Sequence, residues 1–186
     1  MGTIRRNSNR LLKLINNIID TSKIESGAYK LDIKKHNIVY LVEDVVLSMK
    51  DYVESKGIKL VIDPEIEEKI VECDEVEIEK CITNLVGNAV KFTESGGEIE
   101  VKIVDLGDSV KISVRDTGVG IEKEYIDAIF DRFGQAYNNI SEEFGGSGLG
   151  LTLTKQLVTL HNGVIFVKSE VNKGSEFIII LPTKQI

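Results

Sequence analysis

Apolar residues recur at helical spacing between residues 3 and 26, where Ile4, Leu11, Leu12, Ile15, Ile18 and Ile19 stand among polar neighbours. Ile4, Leu11 and Ile18 repeat every seven residues, the mark of a coiled-coil or bundle seam, and Gly27 supplies the stop. A lone helix this short is marginal in water, so a partner helix or a second copy is expected to cover the seam. After Gly27 the pattern turns to alternation. YKLDIKKHNI predicts a strand, VYLVEDVVLSMKDYVESKG a helix ended by Gly57, and IKLVID and KIVEC two short strands. DEVEIEKCITNLVGNAVKFT opens with Asp74 and Glu77, a D-x-x-E form of the capping box, and so begins a helix. EIEVKIVDLG and SVKISVRDTG pair around Gly107 and Asp108, and KEYIDAIFDRF predicts a short helix. Residues 134–148 read as a loop, 149–162 as a helix, and GVIFVKSE with SEFIIILP as a closing hairpin. Strands and helices mix without strict βα alternation, which predicts an α+β fold, a mixed sheet with helices on one face.

Composition narrows the function classes. The chain has 186 residues, enough for one well-cored domain plus an extra element, and 42% of them are hydrophobic. Thirty acidic against twenty-three basic side chains give a net charge of −7, which argues against a nucleic-acid surface. Cys73 and Cys81 have no neighbouring histidines, so neither a disulfide framework nor a zinc site is indicated, and a reducing, cytoplasmic setting fits best. The longest apolar runs, such as FIIIL, fall far short of the ~20 residues of a membrane helix, and MGTIRRNSN lacks a signal peptide's apolar core. No direct membrane contact is expected of this chain, even if it is cut from a membrane protein.

Candidate chemistry sits on the helix at 74–92. Ile78, Ile82, Leu85 and Ala89 fall on one side, and Asn84, Asn88 and Lys91 share another. An asparagine carbonyl is a hard neutral oxygen suited to Mg²⁺, which keeps most of its waters and needs few protein ligands beside phosphate oxygens. A lysine one turn on meets phosphates directly. The same stripe also reads as a solvated helix face. In RDTGVG, an aspartate ends a strand and two glycines let the backbone approach a flat ligand; taken alone this is a common turn, and a buried carboxylate there could accept a hydrogen bond from an adenine amino group. FGGSGLGL opens a helix whose free N–H groups can hold phosphate oxygens, yet it is neither a Walker loop nor a dinucleotide fingerprint.

In this order and spacing, NLVGNAVKFT, DTGVG, IFDRF and GGSGLGL resemble the four nucleotide-binding boxes of sensor histidine kinases. LHNGVIFVKSEVNKGSEFIIILP looks like the end of that catalytic domain, and RLLKLINNIIDTSKIESGAYKL like the second helix of the preceding dimerisation domain plus its linker. The resemblance implies two parts: residues 1–28, part of the dimerisation and histidine phosphotransfer domain, and residues 29–186, the catalytic and ATP-binding domain. It also implies the two-layer α/β sandwich shared with gyrase-type ATPases (the Bergerat fold), preceded by one long helix.

Carried over residue by residue, the resemblance implies that Asn88 binds Mg²⁺, Lys91 reaches phosphate and Phe92 lines the adenine side. Asp116 reads the adenine amino group, Gly118 and Gly120 admit the base, and Ser175 supports Asp116, through water if not directly. Residues 133–147 form a lid, and Gly146, Gly148 and Gly150 surround the phosphates. Ile121, Phe133, Ser147 and Leu149 complete the expected ATP-binding set. ATPase relatives carry a glutamate base four residues before the Mg²⁺ asparagine; here that position is Asn84, which with Lys91 makes up the expected catalytic pair. An amide cannot take a proton, so ATP is expected to be conserved for transfer rather than hydrolysed.

The expected acceptor is a histidine on a first dimerisation helix, relaying to a response regulator receiver domain, in a protein that is a homodimer at full length. This chain's histidines do not fit that role: His36 reads as a surface residue, and His161 as a partly charged group at a helix C-terminus. The chain is therefore expected to bind ATP without phosphorylating itself in the usual way. Glu142 and Glu143 depart from the basic residues many relatives carry in the lid, which leaves Arg132 and Gln135 as the nearest lid candidates for phosphate. A nucleotide-binding scaffold without chemistry and an anti-sigma-type serine kinase are the alternative classes.

Overall fold

The computed structural model describes residues 2–131 and 148–185. Helix α1 (Gly2–Glu25) ends in a Schellman turn: Gly27 takes φ 69°, its N–H donates to Ile24 O at 3.0 Å, and Ala28 N–H donates to Lys23 O at 2.9 Å. Strand β1 (Lys34–Asn37) follows, far shorter than the alternation over YKLDIKKHNI predicts. The reason is competition for its backbone groups. Asp32 N–H donates to Asp74 Oδ2 at 2.8 Å instead of joining a ladder, and Asn37 leaves the strand to cap the next helix, accepting from Val39 N–H at 3.2 Å.

The predicted single helix before Gly57 is two, α2 (Ile38–Ser48) and α3 (Lys50–Ser55). At the break, Ser48 Oγ donates to Val45 O at 2.6 Å and Met49 N–H turns back to Val46 O at 3.1 Å, which tightens the last turn. Strands β2 (Lys59–Pro64) and β3 (Ile70–Cys73) precede helix α4 (Glu75–Phe92); then come β4 (Glu98–Asp105) and β5 (Ser109–Asp116). Where a short helix is predicted after residue 122, the chain makes two 3₁₀ turns, Lys123–Tyr125 and Ala128–Phe130. Ile129 and Phe130 are buried there, Phe130 edge-on to Phe177 at 6.4 Å, so packing rather than helix propagation sets the backbone. Helix α5 (Gly150–Leu160) and the hairpin of β6 (Val164–Glu170) and β7 (Gly174–Pro182) complete the fold.

The main sheet runs β2-β4-β5-β7-β6, parallel at β2/β4 and antiparallel elsewhere, and β1 pairs with β3 in a separate ribbon. Alternate residues of β4 (Ile99, Val101, Ile103) and β5 (Val110, Ile112, Val114) share one core with Val42 and Val46 of α2, Ile82 and Leu85 of α4, and Leu157 and Val158 of α5. This is an α+β sandwich of one sheet and one helical layer. Among the described residues no helix is long and apolar enough to cross a membrane.

The capping box at α4 is half made. Glu77 N–H donates to Asp74 Oδ1 at 3.3 Å, but the Glu77 carboxylate turns to Lys80 at 2.9 Å, and Asp74 N–H goes to His161 Nε2 at 3.0 Å. His161, fully buried, directs Nδ1 to Leu157 O at 2.7 Å. One ring nitrogen accepts while the other donates, the pattern of the neutral Nδ1–H tautomer, so the ring holds a last-turn carbonyl at the C-terminus of α5, as its place in the sequence predicts, but without charge, and also pins α5 to the start of α4. His36 is half-buried in β1, with Nδ1 3.7 Å from Glu75, rather than a plain surface residue. Near its end α1 meets α4: Thr21 is buried and Asp20 lies 3.6 Å from Lys80. Beside them the Tyr29 hydroxyl is pushed up to about 12, by burial first and then by the Glu77 carboxylate.

Candidate functional site

The site is built around α4 because its packing direction fixes where its polar stripe points. With Ile78, Ile82, Leu85 and Ala89 buried, the half-buried Asn84, Asn88 and Lys91 emerge together on a neighbouring face. Asn84 Nδ2 donates to Thr154 Oγ1 on α5 at 3.0 Å, and Gly150 sits so close to Asn84 Oδ1 that a β-carbon there would overlap it. Asn84, Gly150 and Thr154 also line a cavity of about 260 Å³ that Asn17 of α1 and Lys80 of α4 help to close. Two turns beyond Asn84, Lys91 Nζ lies 4.4 Å from the ring centre of Phe92.

The C-terminal end of α4 carries the second half of the site. Val119 N–H donates to Phe92 O at 3.2 Å, and a β-carbon on Gly118 would run into that same carbonyl. Gly118 is therefore required for the backbone of DTGVG to lie on the helix end. Asp116, at the last position of β5, is 4% exposed, and its Oδ1 accepts from Gly118 N–H at 2.8 Å. Burial raises its carboxyl above the usual range, against the opposing pull of the Gly118 and Ser175 N–H groups.

Ser175 stands opposite Asp116 across β5/β7, but its hydroxyl is 3.0 Å from Ser169 Oγ, so its support of Asp116 comes from the backbone N–H. Ser169 is a residue that the sequence reading missed. Its Oγ also donates to Gly174 O at 2.9 Å and accepts from Ile121 N–H at 2.8 Å, tying the glycine loop to the final hairpin. Gly120, at φ 72°, lies under Glu170 O, and Asn172 N–H donates to Val119 O at 2.7 Å.

Gly148 takes φ 67°, Leu149 is buried, and Gly150 opens α5 after an N-cap residue, Leu149, whose side chain makes no cap hydrogen bond. Thr152 Oγ1 donates to Asp131 O at 2.9 Å and lies 3.4 Å from Gly148 O, so one hydroxyl gathers the two chain ends that flank residues 132–147. Phe133, Gly146 and Ser147, with Arg132, Gln135, Glu142 and Glu143, lie outside the described residues. Among the described residues no group of three His, Cys, Asp or Glu side chains could hold a metal ion. Asn84 and Asn88, both half-buried on α4, carry neutral amide oxygens, a donor type that fits a hydrated Mg²⁺ shared with phosphate better than a transition metal.

Residues 73–185 match the family model of histidine kinase-, DNA gyrase B- and HSP90-like ATPases. Hybrid signal transduction histidine kinase L of Dictyostelium discoideum is 42% identical over 190 residues, 98% of this chain and 11% of that protein. The circadian input-output histidine kinase CikA of Synechococcus elongatus is 34% identical, over 98% of this chain and 24% of its own length, so the chain spans about a tenth to a quarter of these relatives. Full-length ShkA in complex with AMPPNP superposes with a TM-score of 0.86 at 27% identity, covering 100% of this chain and 38% of that one. A buried carboxylate at a sheet end, a glycine loop resting on a helix end, and an amide stripe facing a second helix start thus agree with the sequence matches: the chain belongs to the histidine kinase-, DNA gyrase B- and HSP90-like ATPase family, as an ATP-binding catalytic domain of the sensor histidine kinase type.

Proposed function

We propose that this chain holds ATP between the C-terminal half of α4, the DTGVG loop and the start of α5, and passes its γ-phosphoryl group to a histidine outside the two this chain contains. The observation that carries the reading is the Asn84–Thr154 contact, which sets an amide against the start of the phosphate helix where ATPase relatives have a carboxylate base. Asp116 accepts from the adenine amino group, and Gly118 and Gly120 let the base lie against the backbone. Lys91 neutralises phosphate charge, and the open N–H groups at Gly150 hold phosphate oxygens. Phe92, Gly148, Ile121 and Leu149 complete the proposed contacts, and Phe133, Gly146 and Ser147, which the resemblance adds to that set, lie outside the described residues. Asn88, seconded by Asn84, would hold Mg²⁺, which supplies charge neutralisation on the phosphates when bound.

Neither histidine of this chain suits the acceptor role. Both ring nitrogens of His161 are engaged in the core, and His36 is held in β1 beside Glu75. The acceptor is then a histidine on a dimerisation helix packing against α1, whose apolar stripe supports residues 1–28 as the second helix of that domain and a homodimer in the whole protein. A response regulator receiver domain is the onward partner. Mixing the chain with a purified acceptor-helix domain and labelled ATP should place acid-labile, base-stable label on that domain; label on serine would indicate a serine kinase, and none a scaffold. Asn88→Ala should abolish Mg²⁺-dependent ATP binding, measured by titration with a fluorescent analogue, and retained binding would remove the metal assignment.

A further inference from the structure

The Asn84 amide has two ends of opposite sense, an accepting oxygen and a donating NH₂, and the end that faces α5 decides what the side chain can hold. Thr154 Oγ1 lies 3.0 Å from Gly150 O, and a carbonyl only accepts, so the single hydroxyl proton is directed there. Thr154 then has only lone pairs to offer Asn84, 3.0 Å away and 70 positions earlier in the chain, which fixes Nδ2 as the end that meets it. Oδ1 is left against Gly150 at the first turn of α5. Thr154 is 2% exposed, so its hydroxyl has little access to bulk water. A threonine bonded to the carbonyl four residues back is ordinary helix chemistry; the added bond to another helix turns it into a relay.

We infer that Thr154 is a positioning residue that commits the Asn84 side chain to present its oxygen, and not its NH₂, at the start of α5. The inference rests on the reading of Asn84 as part of the nucleotide site. An oxygen attracts a cation or a water hydrogen and repels a phosphate oxygen, so Asn84 serves the hydrated Mg²⁺ side of the nucleotide rather than the phosphates themselves.

Thr154→Val keeps the branched shape and removes both bonds, while Thr154→Ser keeps the hydroxyl. Affinity for a fluorescent ATP analogue is measured with saturating Mg²⁺ and again in EDTA, and the Asn84 side-chain NH₂ is followed by ¹⁵N NMR without nucleotide. Thr154→Val should weaken Mg²⁺-dependent binding up to about tenfold, roughly the worth of one neutral hydrogen bond, and leave binding in EDTA unchanged. It should also speed exchange of the Asn84 NH₂ protons, with Thr154→Ser within about twofold of wild type in each measurement. A folded Thr154→Val chain with the full Mg²⁺ enhancement overturns the inference, as does a wild-type Asn84 NH₂ exchanging at the free rate, which decides the matter even if the valine variant does not fold. A wild-type chain that binds no nucleotide counts against the nucleotide reading, and the NMR result then decides the relay separately.

Discussion

Helices α1 and α4 carry apolar residues at the same spacing and meet opposite fates. On α4, Ile82 and Leu85 are 0% and 1% exposed; on α1, Leu11 and Ile18 are 58% and 52% exposed. Periodicity reports that a helix has a face to bury, not what buries it. The sheet covers α4, and this placement leaves Asn84, Asn88 and Lys91 together on a half-buried neighbouring face. Among the described residues α1 is engaged towards its C-terminal end, through Asn17, Asp20, Thr21 and the half-buried Ile24, while Leu11, Leu12, Ile15, Ile18 and Ile19 stay exposed.

The sharpest test of the contrast is a matched pair of truncations. Ile82→Ala should cost about 2–5 kcal/mol in chemical denaturation, while Ile18→Ala should stay within about 0.5 kcal/mol in dilute solution. Equal costs would mean that α1 is covered after all.

A smaller effect comes from the charge buried on the α4 side. The Asp116 carboxyl is raised on folding, so the stability it contributes is present below its ordinary value of 3.8 and lost as pH rises through the folded value. Asp116→Asn should therefore raise the unfolding midpoint relative to wild type at neutral pH, with the difference vanishing in acid. A difference that grows in acid would contradict the cause assigned to the shift. The smallest effect is expected at the tether between the helices. Asp20 and Lys80 are 3.6 Å apart with side chains 22% and 43% exposed, so Asp20→Asn should cost under about 1 kcal/mol and lose even that in high salt.

Much of the site was legible because it is local. Asn84, Asn88 and Lys91 share a stripe through helical spacing alone, and Asp116 sits where alternation ends and glycines begin. What was not legible depends on partners far along the chain. His161 reaches across 87 positions to Asp74, Ser169 across 48 to Ile121, and Thr154 across 70 to Asn84. A neutral and a charged helix-end histidine look alike in sequence, since the partners that the fold brings to the two ring nitrogens decide where the proton sits. The break at Met49 and the 3₁₀ turns around Phe130 were likewise missed, because local bonds and packing outweighed helical periodicity there.

The sequence by itself determined most of the elements, the polar stripe of α4 and the glycines of the DTGVG turn, since each follows from near neighbours in the chain, and the order of four motifs carried the resemblance that implies nucleotide chemistry. Tertiary structure alone decided which apolar face is covered, which way the Asn84 amide points and how His161 is protonated. Those outcomes turn on hydrogen bonds and packing between elements that no local pattern encodes.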